Sequence, residues 1–178
     1  MTNVTRVGWE RGRDTAEMRI NREWLVANGL GGYASGTLAG VPTRRYHGLL
    51  VSALPNPWGR TMMLDHLVEQ VDLSGGPQYR LSAEHWGSAE SRPKDDVLDQ
   101  FRLELGLPVW TYLLGGVLLE RRLMLAHMQN TVYLRYRLLS KASGEAPDNS
   151  VTLGLRPAMH FRPHDAPVSR IVDRKSVV

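Results

Sequence analysis

The strongest constraint on this chain is how often it is interrupted. Seventeen glycines and ten prolines are spread along 178 residues, and they break most windows of a dozen residues. A glycine costs a helix interior about 1 kcal/mol and a proline about 3 kcal/mol, so long packed helices are not expected. Between the breaks the recurring pattern is short alternation. In Thr131–Leu139, Val132, Leu134, Tyr136 and Leu138 share one parity, while Tyr133, Arg135 and Arg137 take the other. Successive side chains of a strand point to opposite faces, so this is a half-buried strand. Val151, Leu153 and Leu155 alternate with Thr152, Gly154 and Arg156 in the same way, and Ser140–Ser150 is a polar, turn-rich connection between the two.

The clearest local unit runs from Val109 to Leu125. Gly115-Gly116 lies between two β-favouring runs, a two-residue hairpin signal. That turn sets Leu114 against Val117, Tyr112 against Leu119 and Trp110 against Arg121, the last pair placed for a cation–π contact. Further strands are expected at Arg19–Ile20, Gly48–Leu54, Met62–Leu73 and Gln78–Ser82. Glu84–Gln100 is polar and irregular, a long loop or a segment with a short helix near Asp95–Phe101. Many short strands joined by Gly/Pro turns predict an all-β antiparallel sandwich, whose strand order the sequence does not set.

Composition removes several function classes. The chain has no cysteine, which excludes disulfides, thiolate zinc sites and cysteine nucleophiles together and agrees with a cytoplasmic location. The uncharged stretch from Trp24 up to Arg44 is rich in glycine and small residues. The one from Val109 up to Glu120 is too short to cross a bilayer, so no membrane helix is expected. The N-terminal segment lacks the apolar core of a signal peptide. The net charge is +4, and 19 of the 22 basic residues are arginine. They are scattered among 18 acids, which favours a solvated surface over a nucleic-acid footprint. The length suits one domain or a piece of a larger one, and it cannot hold a full two-domain hydrolase.

One stretch differs from the rest. Glu23–Ala53 holds six glycines and no acid after Glu23, the composition of a shaped loop system. Gly29–Ala34 formally fits G-x-G-x-x-A. However, Gly36, Gly40 and Pro42 forbid the helix that must follow, and no acid stands about twenty residues on, so dinucleotide binding is not supported. Thr43–Gly48 packs two cations, a phenol and an imidazole beside a strand start. Read structurally, the arginines form ion pairs and the histidine caps a turn. Read functionally, Asn28, Tyr33, Arg44, Arg45, Tyr46 and His47 supply the planar hydrogen-bonding and aromatic groups of a sugar pocket.

Other motifs carry less. His160 and His164 have a helical metal-ligand spacing, but prolines around them prevent a helix, so no metal site is expected. Ser35 and Ser52 lack the nucleophile elbow. Glycoside hydrolysis needs two spaced carboxylates. Asp65, Glu69, Glu104 and Glu120 are available without any pair standing out. Asp65 and Glu69 are expected to be solvated, and Glu120 to lie on a strand surface opposite Thr111.

Glu23-Trp24-Leu25, Asn28–Thr37 and Thr43–Val51 together read E-W-L-x-x-N-G-L-G-G-Y-A-S-G-T and T-R-R-Y-H-G-L-L-V. This pattern closely resembles the N-terminal region of bacterial and archaeal glycogen debranching enzymes of the amylo-α-1,6-glucosidase type. Shorter matches follow in order from Gly59-Arg60-Thr61 to Leu155-Arg156-Pro157, so the resemblance covers about Ile20 to Arg162. It implies an antiparallel β super-sandwich, incomplete here, that normally precedes an (α/α)6 barrel absent from this chain. The division expected is a lead-in over 1–18, the sandwich over 19–169 and a tail over 170–178 without family signal. The implied parent hydrolyses α-1,6 branch linkages of glycogen with two barrel carboxylates, so no catalytic residue is expected here, and no cofactor. Asn28, Tyr33, Ser35, Thr37, Arg44, Arg45, Tyr46 and His47 become candidates for the glucan pocket or the barrel interface. The implied partners are an α-glucan, met through the parent enzyme, and the barrel, with no nucleic acid or membrane. The alternative is an autonomous glucan-binding module, with Trp58, Trp86 and Trp110 as stacking candidates. A sandwich short of its last strands is expected to expose an unpaired edge.

Overall fold

The structure is a computed structural model and describes residues 5–15, 17–73, 76–82, 97–141 and 151–167. Alternating segments become strands β1 (Thr5–Glu10), β2 (Glu23–Ala27), β3 (Tyr33–Thr37), β4 (Gly48–Ala53), β5 (Arg60–Leu73), β6 (Gln78–Arg80), β7 (Leu98–Glu104), β8 (Leu107–Leu114), β9 (Val117–Leu125), β10 (Val132–Lys141) and β11 (Val151–Pro163). Among the described residues a single helical turn, α1 (Met18–Asn21), is the exception. One sheet has the order β1-β7-β8-β9-β10, and the other β11-β5-β4-β3-β2 with β6 beside β5. Every strand pairing is antiparallel, and the two sheets pack as a sandwich.

The β8–β9 hairpin has the expected register. Leu114 opposes Val117, Tyr112 opposes Leu119 and Trp110 opposes Arg121. Gly115 and Gly116 turn the chain at φ 54° and 87°, the left-handed pair that a two-residue turn needs. The Arg121 guanidinium sits 4.5 Å from the Trp110 ring centroid. Trp110 is fully buried and forms the middle of the core. Trp24 from the opposite sheet meets it edge-on at 5.3 Å, and Phe101 at 5.2 Å. Both indoles donate their N–H at the end of β3: Trp110 Nε1 to Leu38 O at 3.0 Å and Trp24 Nε1 to Thr37 O at 3.1 Å. Apolar burial and polar satisfaction thus converge on the segment that leads to the candidate site.

Several sequence expectations are corrected. Arg19–Ile20 lies in α1 and not in a strand. Where a loop or a short helix is expected up to Phe101, strand β7 runs from Leu98, because pairing with both β1 and β8 overrides a weak local preference. Glu23–Ala53 is three paired strands with loops between them, so glycine is accommodated inside regular structure. Glu69 is fully buried rather than solvated, and Asp65 has a side chain only 12% exposed. Both share the parity of Leu67, Val71 and Leu73, the row of β5 that faces the core. Glu120 does oppose Thr111, but it is 3% exposed. It stands on the outer face of β9 under a cover of Arg102 at 2.7 Å, Arg122 at 2.8 Å and Arg137 at 3.4 Å. The prolines near His160 do not stop β11, because it is an edge strand and tolerates a residue without N–H. Leu155, Met159 and Phe161 on this edge strand are exposed. Trp86, Asp95, most of Glu84–Gln100, the connection after Lys141 and the 170–178 tail lie outside the described residues.

Candidate functional site

The T-R-R-Y-H-G segment forms the corner between β3 and β4. Its shape is fixed from inside. Thr37 Oγ1 donates to Val41 O at 2.8 Å and accepts from Val41 N at 3.1 Å, closing the first bend. His47 N donates to Arg44 O at 3.0 Å, and Thr43 N donates to His47 Nδ1 at 3.2 Å, closing the second. Tyr33 OH and Ser35 Oγ both reach across from β3 and donate to Tyr46 O, at 3.0 and 3.3 Å. Arg162 of β11 adds a bond from Nη2 to Arg45 O at 2.7 Å. Five of the eight candidates (Tyr33, Ser35, Thr37, Arg44 and His47) therefore hold the corner by their side chains. Arg44 is ion-paired with Glu23, so its charge is spent within the protein.

What the corner presents outward is narrower. Arg45 is exposed, and its guanidinium has no partner among the described residues. Tyr46 is 40% exposed and stands edge-on to His47 with ring centroids 5.6 Å apart. His47 itself is buried, with Nε2 3.6 Å from Glu23 Oε1. Burial pushes the His47 imidazole below its ordinary value, a shift that the nearby Glu23 carboxylate only partly opposes. The ring is therefore neutral at pH 7. The hydrogen bond from Arg44 holds Glu23 below the usual carboxylate range. Burial pushes the Tyr33 phenol up, so it remains a donor.

Asn28 lies away from this corner. It is buried in the β2–β3 turn with its side chain fully engaged. Oδ1 accepts from Leu30 N at 2.9 Å and Gly32 N at 3.0 Å, and Nδ2 donates to Gln129 O at 2.9 Å and Asn130 Oδ1 at 3.2 Å. Asn130 in turn makes a two-way bond with the Ala53 backbone, at 3.0 and 2.8 Å. This network ties the end of one sheet to the β9–β10 turn of the other. Trp110 is buried in the core, which removes it as a sugar-stacking candidate, whereas Trp58 is 69% exposed.

Residue types alone did not place Glu23 and Arg162 beside the corner, or Asp65 and Glu69 around the space beneath it. Glu23 opens the motif, and Asp65 and Glu69 could be placed by their parity with Leu67. Arg162 offers no sequence signal. Asp65 Oδ2 lies 2.8 Å from His66 Nδ1, and Arg162 is 3.8 Å from its other oxygen. Glu69 is 2.9 Å from Arg121 and accepts from Tyr136 OH. Neither carboxylate is placed as a free acid or base. No group of three potential metal ligands comes together among the described residues.

Fold and corner define a class: a two-sheet antiparallel sandwich with an internally braced polar corner. Within that class the assignment is specific. Residues 22–176 match the family described as glycogen debranching enzyme N terminal, and the chain belongs to that family. The match takes in part of the tail where the sequence alone offered no resemblance. No curated protein and no solved structure matches the chain significantly. Among the described residues, no helix is long and apolar enough to cross a membrane.

Proposed function

We propose that this chain is the non-catalytic N-terminal part of a glycogen debranching enzyme. Its parent hydrolyses α-1,6-glucosidic branch linkages in the cytoplasm, using carboxylates on a separate (α/α)6 barrel. The sandwich, taken as 19–169 between a lead-in and a tail, packs on that barrel and helps shape the glucan pocket. The observation that carries this reading, beside the family match, is the corner at Arg45 and Tyr46. Hydrogen bonds from Tyr33, Ser35 and Arg162 fix its backbone while a cation and a phenol remain available at its surface. Pre-organised polar groups of this kind suit a contact made with another domain or with a polyhydroxylated ligand.

Incubating the pure chain with a glycogen limit dextrin and assaying free glucose tests the non-catalytic half of the proposal. No release above a blank is expected, and release would overturn it. The exposed Trp58 favours a second reading, an autonomous glucan-binding module that stacks sugar faces on this indole. Electrophoresis through a glycogen-containing gel separates the two. Retardation that Trp58→Ala abolishes would support the module, and an unretarded band would remove it.

A further inference from the structure

Beneath the corner a cleft opens between the sheets, lined by His47, Ser35, Thr37, Glu69, Ser82 and Arg121 among others. Most of its polar atoms are committed. Ser35 Oγ serves Tyr46 O, Thr37 Oγ1 closes on Val41, and the single proton of Ser82 Oγ goes to Leu67 O at 2.7 Å. Three buried atoms of the lining make no hydrogen bond: His47 Nε2, Glu69 Oε2 and Arg121 Nε. The last is 2.9 Å from Glu69 Oε1 and is compensated by charge. The other two have no hydrogen-bond partner, although Glu23 Oε1 stands 3.6 Å from His47 Nε2 and Arg121 pairs with the other oxygen of Glu69. Their residues are 2% and 0% exposed, so bulk water does not serve them either. An unpaired buried polar atom costs about 1–3 kcal/mol, so two beside one cavity point to an occupant.

The two atoms differ in sense. His47 Nδ1 accepts from Thr43 N, which fixes the neutral ring with its proton on Nε2. Glu23 Oε1, at 3.6 Å, is beyond hydrogen-bond reach of that proton. Glu69 Oε2 is a bare acceptor. The occupant must therefore accept at one end and donate at the other. A cation would meet the Arg121 guanidinium, and an anion would meet Glu69 and Asp65. The free volume of about 30 Å³ holds two water molecules and not a pyranose ring.

We propose that this cleft is a hydroxyl-binding site, in which one or two O–H groups accept from His47 Nε2–H and donate to Glu69 Oε2. The O–H groups belong to ordered water or to the hydroxymethyl arm of a saccharide. Only the second source rests on the function proposed above.

Crystals of the chain grown without polyols, and the same crystals soaked in maltotriose, test the site directly. The expected result is density within about 3.2 Å of His47 Nε2 and of Glu69 Oε2, from one oxygen or from two bonded to each other. Water peaks in both crystals make it a water site. A sugar hydroxymethyl that replaces water in the soak makes it a saccharide site. A dry cleft, or both atoms bonded to protein, overturns the proposal and leaves the glucose assay unaffected. In solution, the His47 ring ¹⁵N shifts are expected to change in Glu69→Gln, which keeps the volume but alters the acceptor. If that variant does not fold, Glu69→Asp is measured, with the same shift expected. Unchanged shifts in the folded variant overturn the proposal.

Discussion

At the residue scale, two candidates of the same motif have opposite jobs. Asn28 is buried and spends both ends of its amide on four hydrogen bonds, whereas Arg45 has an exposed guanidinium without a partner among the described residues. Asn28→Ala leaves buried donors and acceptors unpaired and is expected to cost about 2–3 kcal/mol. Arg45→Ala is expected to leave stability unchanged to within about 0.5 kcal/mol. Denaturant titration of both variants checks the contrast, and equal losses would refute it. Nothing in the residue types separates them, because both are polar members of a glycine-rich run. Burial separates them, and burial here depends on Asn130, which is remote in sequence. The sequence reading of a sugar pocket joined residues by type, and the fold divides that set between bracing and presentation.

Elements were legible where strand alternation was strict. The β8–β9 hairpin could be written down to its cross-strand pairs, since a two-glycine turn admits one register. The row Leu67-Glu69-Val71-Leu73 on β5 also shows the parity that buries Glu69, yet a carboxylate in an apolar row reads as solvated until its Arg121 partner is known. α1 and β7 escape a local reading because partners remote in sequence help fix them: Arg19 O accepts from Ala39 N at 3.0 Å, and β7 pairs with β1. The tight β2–β3 turn gives a prediction at this scale. A Cβ at Gly32 would stand 2.8 Å from Val51 O and 2.7 Å from Asn28 Nδ2. Gly32→Ala must therefore push β3 from β4 and break the Asn28 network together. A drop in melting temperature of several degrees is expected, larger than for Gly154→Ala, where the added Cβ would make only ordinary contact with Gln70 at 3.8 Å. The reverse order would show that the turn yields without cost.

For the whole molecule, charge is organised rather than scattered. The outer face of the β7–β9 region carries Glu104 and Glu120 under Arg102, Arg122 and Arg137. Burial raises both carboxylates, but the hydrogen bonds from Arg102 and Arg122 outweigh it and hold them below their ordinary value of 4.5. The unfolded chain therefore takes up these protons first. The stability they contribute is present above pH 4.5 and is lost as pH falls through the lowered folded values. Glu69 has the opposite sign: burial raises it despite Arg121 and Tyr136, so its share of stability falls as pH rises past its ordinary value. Acid unfolding of the wild type and of Glu120→Gln, followed by circular dichroism, is expected to show a smaller loss below pH 4.5 in the variant, and identical curves would contradict this.

The central claim is that the sandwich serves a glycosidase through the Arg45–Tyr46 corner. Its most direct test is glucose release from a limit dextrin by this chain fused ahead of a family (α/α)6 catalytic domain, compared with the same fusion carrying Arg45→Ala and Tyr46→Ala. Activity is expected in the first and a loss of at least about tenfold in kcat/KM in the second, equivalent to about 1.4 kcal/mol, with unchanged melting temperature. Equal activity in both fusions would contradict it.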